Sequence, residues 1–168
     1  MQPLTSSSDR LAGTTQRLDS PGVRIPPPVV YVAAFLISLA LQARSPLPFL
    51  ARPIALGLGG AIAAVGALCI VTSIAAMLRG RGTLNTAGPS AALVVSGPYR
   101  FSRNPMYLGL TLLYAGVAVM LGVVWALLFG IPLVIYTQVR VILPEERYLQ
   151  RAFGDDYRVY SAHVRRWL

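Results

Sequence analysis

The sequence has no lysine, one histidine, one cysteine and six acidic residues among 168. Each shortage excludes something. Cys69 has no second cysteine to pair with, so neither an intramolecular disulfide nor a cysteine-based metal site can form. It lies inside an apolar run, where a thiol is expected to be inert packing. With His163 as the sole histidine, neither a histidine metal cluster nor a Ser-His-Asp triad inside the membrane is expected. No metal is expected. Charge is scarce as well: 12% of residues are charged, 55% are hydrophobic, and the mean hydropathy is +0.59. That much apolar surface needs lipid around it. The net charge of +9 is carried wholly by arginine. A basic chain raises the question of nucleic acid, but that partner needs a basic face on a soluble module. Here the arginines fall between apolar runs, so anionic lipid headgroups are the expected partner and nucleic acid is not.

What is present reads as an all-α integral membrane protein of about four spans. Residues 1–27 are rich in Ser, Thr, Pro, Gly and Arg and are expected to be a disordered cytoplasmic tail. Residues 28–168 then form one membrane domain. Apolar runs cover 29–43, 53–78, 105–121 and 123–142. The first is short for a hydrocarbon core of about 30 Å, whereas the second crosses with some tilt. Gly57, Gly59, Gly60, Ala63, Ala64 and Gly66 give the second run a small-residue face that another helix can approach closely. Gly122 marks a tight turn between the third and fourth runs, and Pro132 is expected to kink the fourth. After Pro144, two amphipathic interfacial helices are expected at about 144–153 and 155–165. The second carries Tyr157, Tyr160 and Val164 on one face. With both termini cytoplasmic, thirteen arginines fall inside, and only Arg44 and Arg52 fall outside. The positive-inside rule selects that orientation. A bacterial inner membrane is the expected location.

The densest polar and aromatic cluster is Leu93–Gly109, which contains Gly97-Pro98-Tyr99-Arg100-Phe101-Ser102-Arg103-Asn104-Pro105-Met106-Tyr107. Asn104 is a good N-cap and Pro105 a good first helical residue, so a helix starts here with its free N–H groups facing Tyr99, Arg100 and Arg103. Such a place suits an anionic group. The Gly-x-Tyr element, followed by Arg-Asn-Pro-x-Tyr-x-Gly, resembles the hallmark of the integral-membrane methyltransferases related to isoprenylcysteine carboxyl methyltransferase and the phospholipid N-methyltransferases. Glu145-Glu146-x-x-Leu149, continuing to Phe153-Gly154-Asp155-Asp156-Tyr157-x-x-Tyr160, is similar to that family's C-terminal block. The likeness covers roughly residues 80–168.

The resemblance implies S-adenosylmethionine as cofactor, S-adenosylhomocysteine as product, and a lipid or prenylated small molecule as acceptor. It further implies that backbone groups of Leu93, Val94 and Ser96 line the cofactor pocket. Against that chemistry, Arg103 and the helix start at Asn104–Tyr107 are expected to hold the cofactor carboxylate. Glu145 and Glu146 are expected to take the ammonium or the ribose hydroxyls, and Tyr99 and Tyr107 to offer faces to the sulfonium. Each residue also has a plainer reading, as helix start, helix-dipole partner or interfacial anchor. Many relatives carry His where Asn104 stands, and Ala91 and Ala92 occupy a region where the prenylcysteine enzymes have another. The site is therefore poor in bases, which favours a carboxylate or thiol acceptor over an amine. On that reading Arg140 binds the acceptor's carboxylate, and Arg140 and Glu145 are the catalytic candidates. Two other functions compete: a nicotinamide-dependent membrane reductase of the sterol type, and a non-enzymatic membrane interaction protein. Oligomeric state is not legible.

Overall fold

The computed structural model describes residues 25–80 and 93–168. The expected tail, up to residue 24, lies outside the described residues, as does the part of the middle loop that holds Arg81, Ala91 and Ala92. Five α-helices form, and no strand occurs among the described residues: α1 Pro27–Arg44, α2 Arg52–Arg79, α3 Pro105–Leu121, α4 Val124–Tyr136 and α5 Leu143–His163. A short 3₁₀ turn at Gly97–Arg100 precedes α3, and a π-helical turn at Thr137–Ile142 joins α4 to α5.

Proline sets the helix starts. Residues Pro27, Pro53 and Pro105 occupy the first or second helical position, where a missing N–H costs nothing and φ is already suitable. Helix α1 stops at Ser45, the residue before Pro46, because an X-Pro step disfavours helical backbone at X. Helix α3 ends at Gly122, whose φ of 65° is left-handed. There Val123 N donates to Ala118 O at 2.9 Å and Gly122 N to Val119 O at 3.1 Å, satisfying two terminal carbonyls. The chain then enters α4 at once.

Three helices are long and apolar enough to cross a membrane: α1, α2 and the continuous helix Val124–His163. The 17-residue apolar helix α3 is shorter but lies antiparallel along α2. That seam is built from missing side chains. A Cβ on Gly66 would overlap the Leu113 amide, and one on Gly116 would overlap the backbone of Ala63. Gly59 against Gly116 and Met120, and Gly109 against Gly66 and Cys69, extend the contact. Gly57 and Gly60, expected on the same face, look into open space. Helix α1 packs on α4 and touches α3. Tyr31 bonds Thr111 of α3 at 2.9 Å and Thr137 at 3.1 Å, while its ring meets Tyr114 edge-on at 5.5 Å. At the opposite end, Trp125 Nε1 donates to Ser45 O at 2.9 Å.

Pro132 lies inside α4 and is exposed. Helix α5 consists of two helical segments that meet at a kink at Gly154 (φ 52°, ψ −120°), where the sequence placed the break, and the first segment follows α4 through the π turn without a loop. Pro144 falls in the first turn of α5, just after the π turn that joins it to α4. Val164 is already extended, so it does not share a helical face with Tyr157 and Tyr160.

Candidate functional site

The ends of α2 and α4, the starts of α1 and α3, and α5 gather on one side of the bundle. The first helical hydrogen bond of α3 runs from Leu108 N to Asn104 O, so the N–H groups of Met106 and Tyr107 precede the ladder. Asn104 is not the expected side-chain cap. Its Nδ2 donates instead to Arg166 O at 2.9 Å, leaving the helix start uncapped by its own residue.

Two distant blocks meet here. Tyr107 Oη donates to Glu145 Oε2 at 3.0 Å, and Arg103 Nη1 lies 3.2 Å from Glu146 Oε1. Tyr107 is buried against Val141 and Ile142 of the π turn. Glu145 lies beyond the apolar stretch of the α4 rod and is half-buried as a whole residue. Burial pushes its carboxyl up to about 7; the Tyr107 hydrogen bond works against that shift and the charge of Glu146 adds to it. Arg103 keeps a buried Nε with no partner among the described residues. The Tyr157 phenol sits beside Arg103, and Tyr160 Oη donates to Tyr99 O at 2.8 Å, tying α5 to the 3₁₀ turn. Burial, first among the causes, raises the phenols of Tyr99, Tyr157 and Tyr160, so all three are neutral donors at pH 7.

Of the expected residues, Arg103, Asn104, Tyr107, Glu145 and Glu146 converge, with Tyr99 buried beside them. Leu93 and Val94 lie outside any helix at the end of α2, where Val94 lies over Gly80, and Ser96 is extended just before the 3₁₀ turn. Arg140 is exposed on the π turn, apart from this cluster's buried side chains. The inward positions of that turn are taken by Val141 and Ile142. Sequence reading missed Arg166, whose Nε and Nη2 each donate to a Glu146 oxygen at 2.9 Å. Trp167 was missed too; it packs on the Tyr107 cluster and donates to Gln138 Oε1 at 2.8 Å. Nothing in the pattern of Arg165-Arg166-Trp167 separated these residues from ordinary topogenic charge. Among the described residues, no group of His, Cys, Asp and Glu suits a metal ion.

Residues 54–156 match the phospholipid methyltransferase family, a span that takes in α2, the seam, Tyr107 and both glutamates. The chain belongs to that family. Phospholipid methyltransferase membership implies a membrane methyltransferase, in agreement with the apolar helices and with the meeting of the two blocks. No curated protein matches the chain, and no solved structure does.

Proposed function

We propose that this protein transfers a methyl group from S-adenosylmethionine to a lipophilic acceptor at the cytoplasmic face of the membrane. The observation that carries this reading is the pairing of Tyr107 with Glu145 at 3.0 Å beside Arg103 with Glu146 at 3.2 Å. Residues from the two ends of the family's motif set thereby share one site. The donor set fits the cofactor: an unpartnered buried Arg103 Nε and the uncapped N–H groups of Met106 and Tyr107 suit its carboxylate. Glu145 suits its ammonium or ribose, and the rings of the buried Tyr99 and Tyr107 suit its cationic sulfonium. When bound, the cofactor supplies an electrophilic methyl on a sulfonium. The protein contributes position, holding that methyl in line with the nucleophile in a site screened from water by Tyr99, Tyr107 and Tyr157.

An apolar groove of about 410 Å³ runs between α3 and α4 from Thr111, one turn beyond Tyr107, to Leu127. It opens sideways, which suits an acceptor arriving from the bilayer. A carboxylate or thiolate acceptor fits a site with few bases, Arg140 then serving the acceptor's charge from the headgroup layer. A second reading rests on Glu145. A carboxyl pushed up to about 7 takes a proton readily at neutral pH, as methylation of an amine headgroup requires.

Purified protein should be stabilised against heat by S-adenosylhomocysteine and not by a reduced nicotinamide cofactor. The reverse result would point to the reductase, and no response to either would sink the enzyme assignment. Methyl-labelled product from a lipid extract then separates the acceptors. A methyl ester releases its label in alkali, whereas an N-methyl group does not.

A further inference from the structure

The last residues of the chain bind the site from three directions. Backbone carbonyls of this segment accept from the loop before α3: Arg103 N donates to Arg165 O at 2.9 Å, and Asn104 Nδ2 to Arg166 O at 2.9 Å. The Arg166 guanidinium takes both oxygens of Glu146 side-on. Trp167 reaches past Tyr107 to Gln138 in the π turn. One short segment thus fastens the α3 start, the α5 start and the end of α4 to one another.

We propose that Arg165–Trp167 is a built-in wall of the methyl-donor site, with Arg166 as the positioning residue that holds Glu146. The chemistry follows from how donors are shared. Glu146 is shared between two guanidiniums, and Arg166 fills its geometry with a parallel two-bond fork. Arg103 is therefore left with a single contact to Glu146 through Nη1, and its buried Nε stays free to meet an incoming carboxylate. Without Arg166, the full charge of Glu146 falls to Arg103, which is drawn away from the cofactor. Lysine at 166 keeps the charge but loses the fork, so it restores the function only in part. Arg166 does not touch the reacting atoms; its effect reaches the cofactor through Glu146 and Arg103. This inference rests on the proposed reading of the site as a cofactor pocket.

The test compares wild type, R166A and R166K in lipid nanodiscs, measuring S-adenosylhomocysteine affinity by calorimetry and methyl transfer into lipid extract. R166A is expected to weaken affinity and raise the cofactor KM about tenfold while kcat changes by less than about threefold, with R166K in between. A merely structural role would lower the thermal midpoint and the active fraction and leave KM unchanged. An R166A protein with wild-type affinity and KM overturns the proposal. Should R166A fail to fold, R166K decides: intermediate affinity supports the proposal, and wild-type affinity overturns it. A wild type that binds no S-adenosylhomocysteine refutes the reading of the pocket, and the wall's role falls with it. Normal binding by both wild type and R166A refutes the wall alone.

Discussion

The α2–α3 seam and the polar cluster at its end are held together by opposite means. Along the seam, helices approach because Gly66, Gly109 and Gly116 offer nothing to keep them apart, and contact is backbone against backbone. In lipid there is no hydrophobic drive between helices, so close van der Waals contact has to supply the attraction. At the polar end, long side chains reach across gaps: Arg103 and Arg166 to Glu146, Tyr107 to Glu145, Asn104 to Arg166. The seam tolerates no added atom, whereas the cluster tolerates no lost one. Packing fixes where α3 begins, and hydrogen bonds fix what its first residues can bind.

The sharpest way to break that contrast is to add volume to the seam. Gly66→Leu or Gly116→Leu is expected to cost about 3 kcal/mol or more, because backbone atoms of the facing helix cannot yield. Thermal unfolding in detergent should show it, and Gly57→Leu, facing open space, should change little. Next in size is subtraction from the cluster. Glu145→Gln should lower methyl transfer about a hundredfold and Tyr107→Phe about tenfold, both at near-native stability, when rates are measured on labelled lipid.

The raised Glu145 carboxyl makes a further prediction with a definite sign. Its folded-state value of about 7 lies above its ordinary one, so the folded state holds the extra proton in the window between them. Stability relative to Glu145→Gln should therefore fall as pH rises from about 4.5 through about 7, then level off. A flat difference across that window would remove Glu145 from its buried setting. The smallest effect belongs to the far end of the bundle. Trp125→Phe removes an exposed hydrogen bond to Ser45 O and should cost about 1 kcal/mol or less without touching cofactor affinity.

Much of this was legible in the sequence, for reasons that can be named. Proline at helix starts and glycine at Gly122 are local signals, and they placed α1, α2 and α3 within a residue or two. The Arg103–Tyr107 and Glu145–Glu146 blocks stood out because polar residues are rare here and their spacing is specific. What escaped was non-local. The fourth run reads as ending near Ile142, and only the three-dimensional path shows a π turn carrying it into the helix that opens at Leu143 and Pro144. Asn104 has every local property of a cap, but Arg166 O, 62 residues on, competes for its amide and wins. Arg140, expected to meet the acceptor, lies exposed on that π turn, an element the sequence alone did not show.

That turn has one more consequence. Because α4 passes into α5 with no loop between them, Pro132 amid the apolar residues and Glu145 at the site ride on one rod, roughly 20 Å apart along its axis at about 1.5 Å per residue. A lean of a few degrees at the lipid-bathed end swings the carboxylates by an ångström or more, on the scale at which alignment of reacting atoms is won or lost. Turnover should accordingly follow the thickness of the bilayer in which the protein is reconstituted.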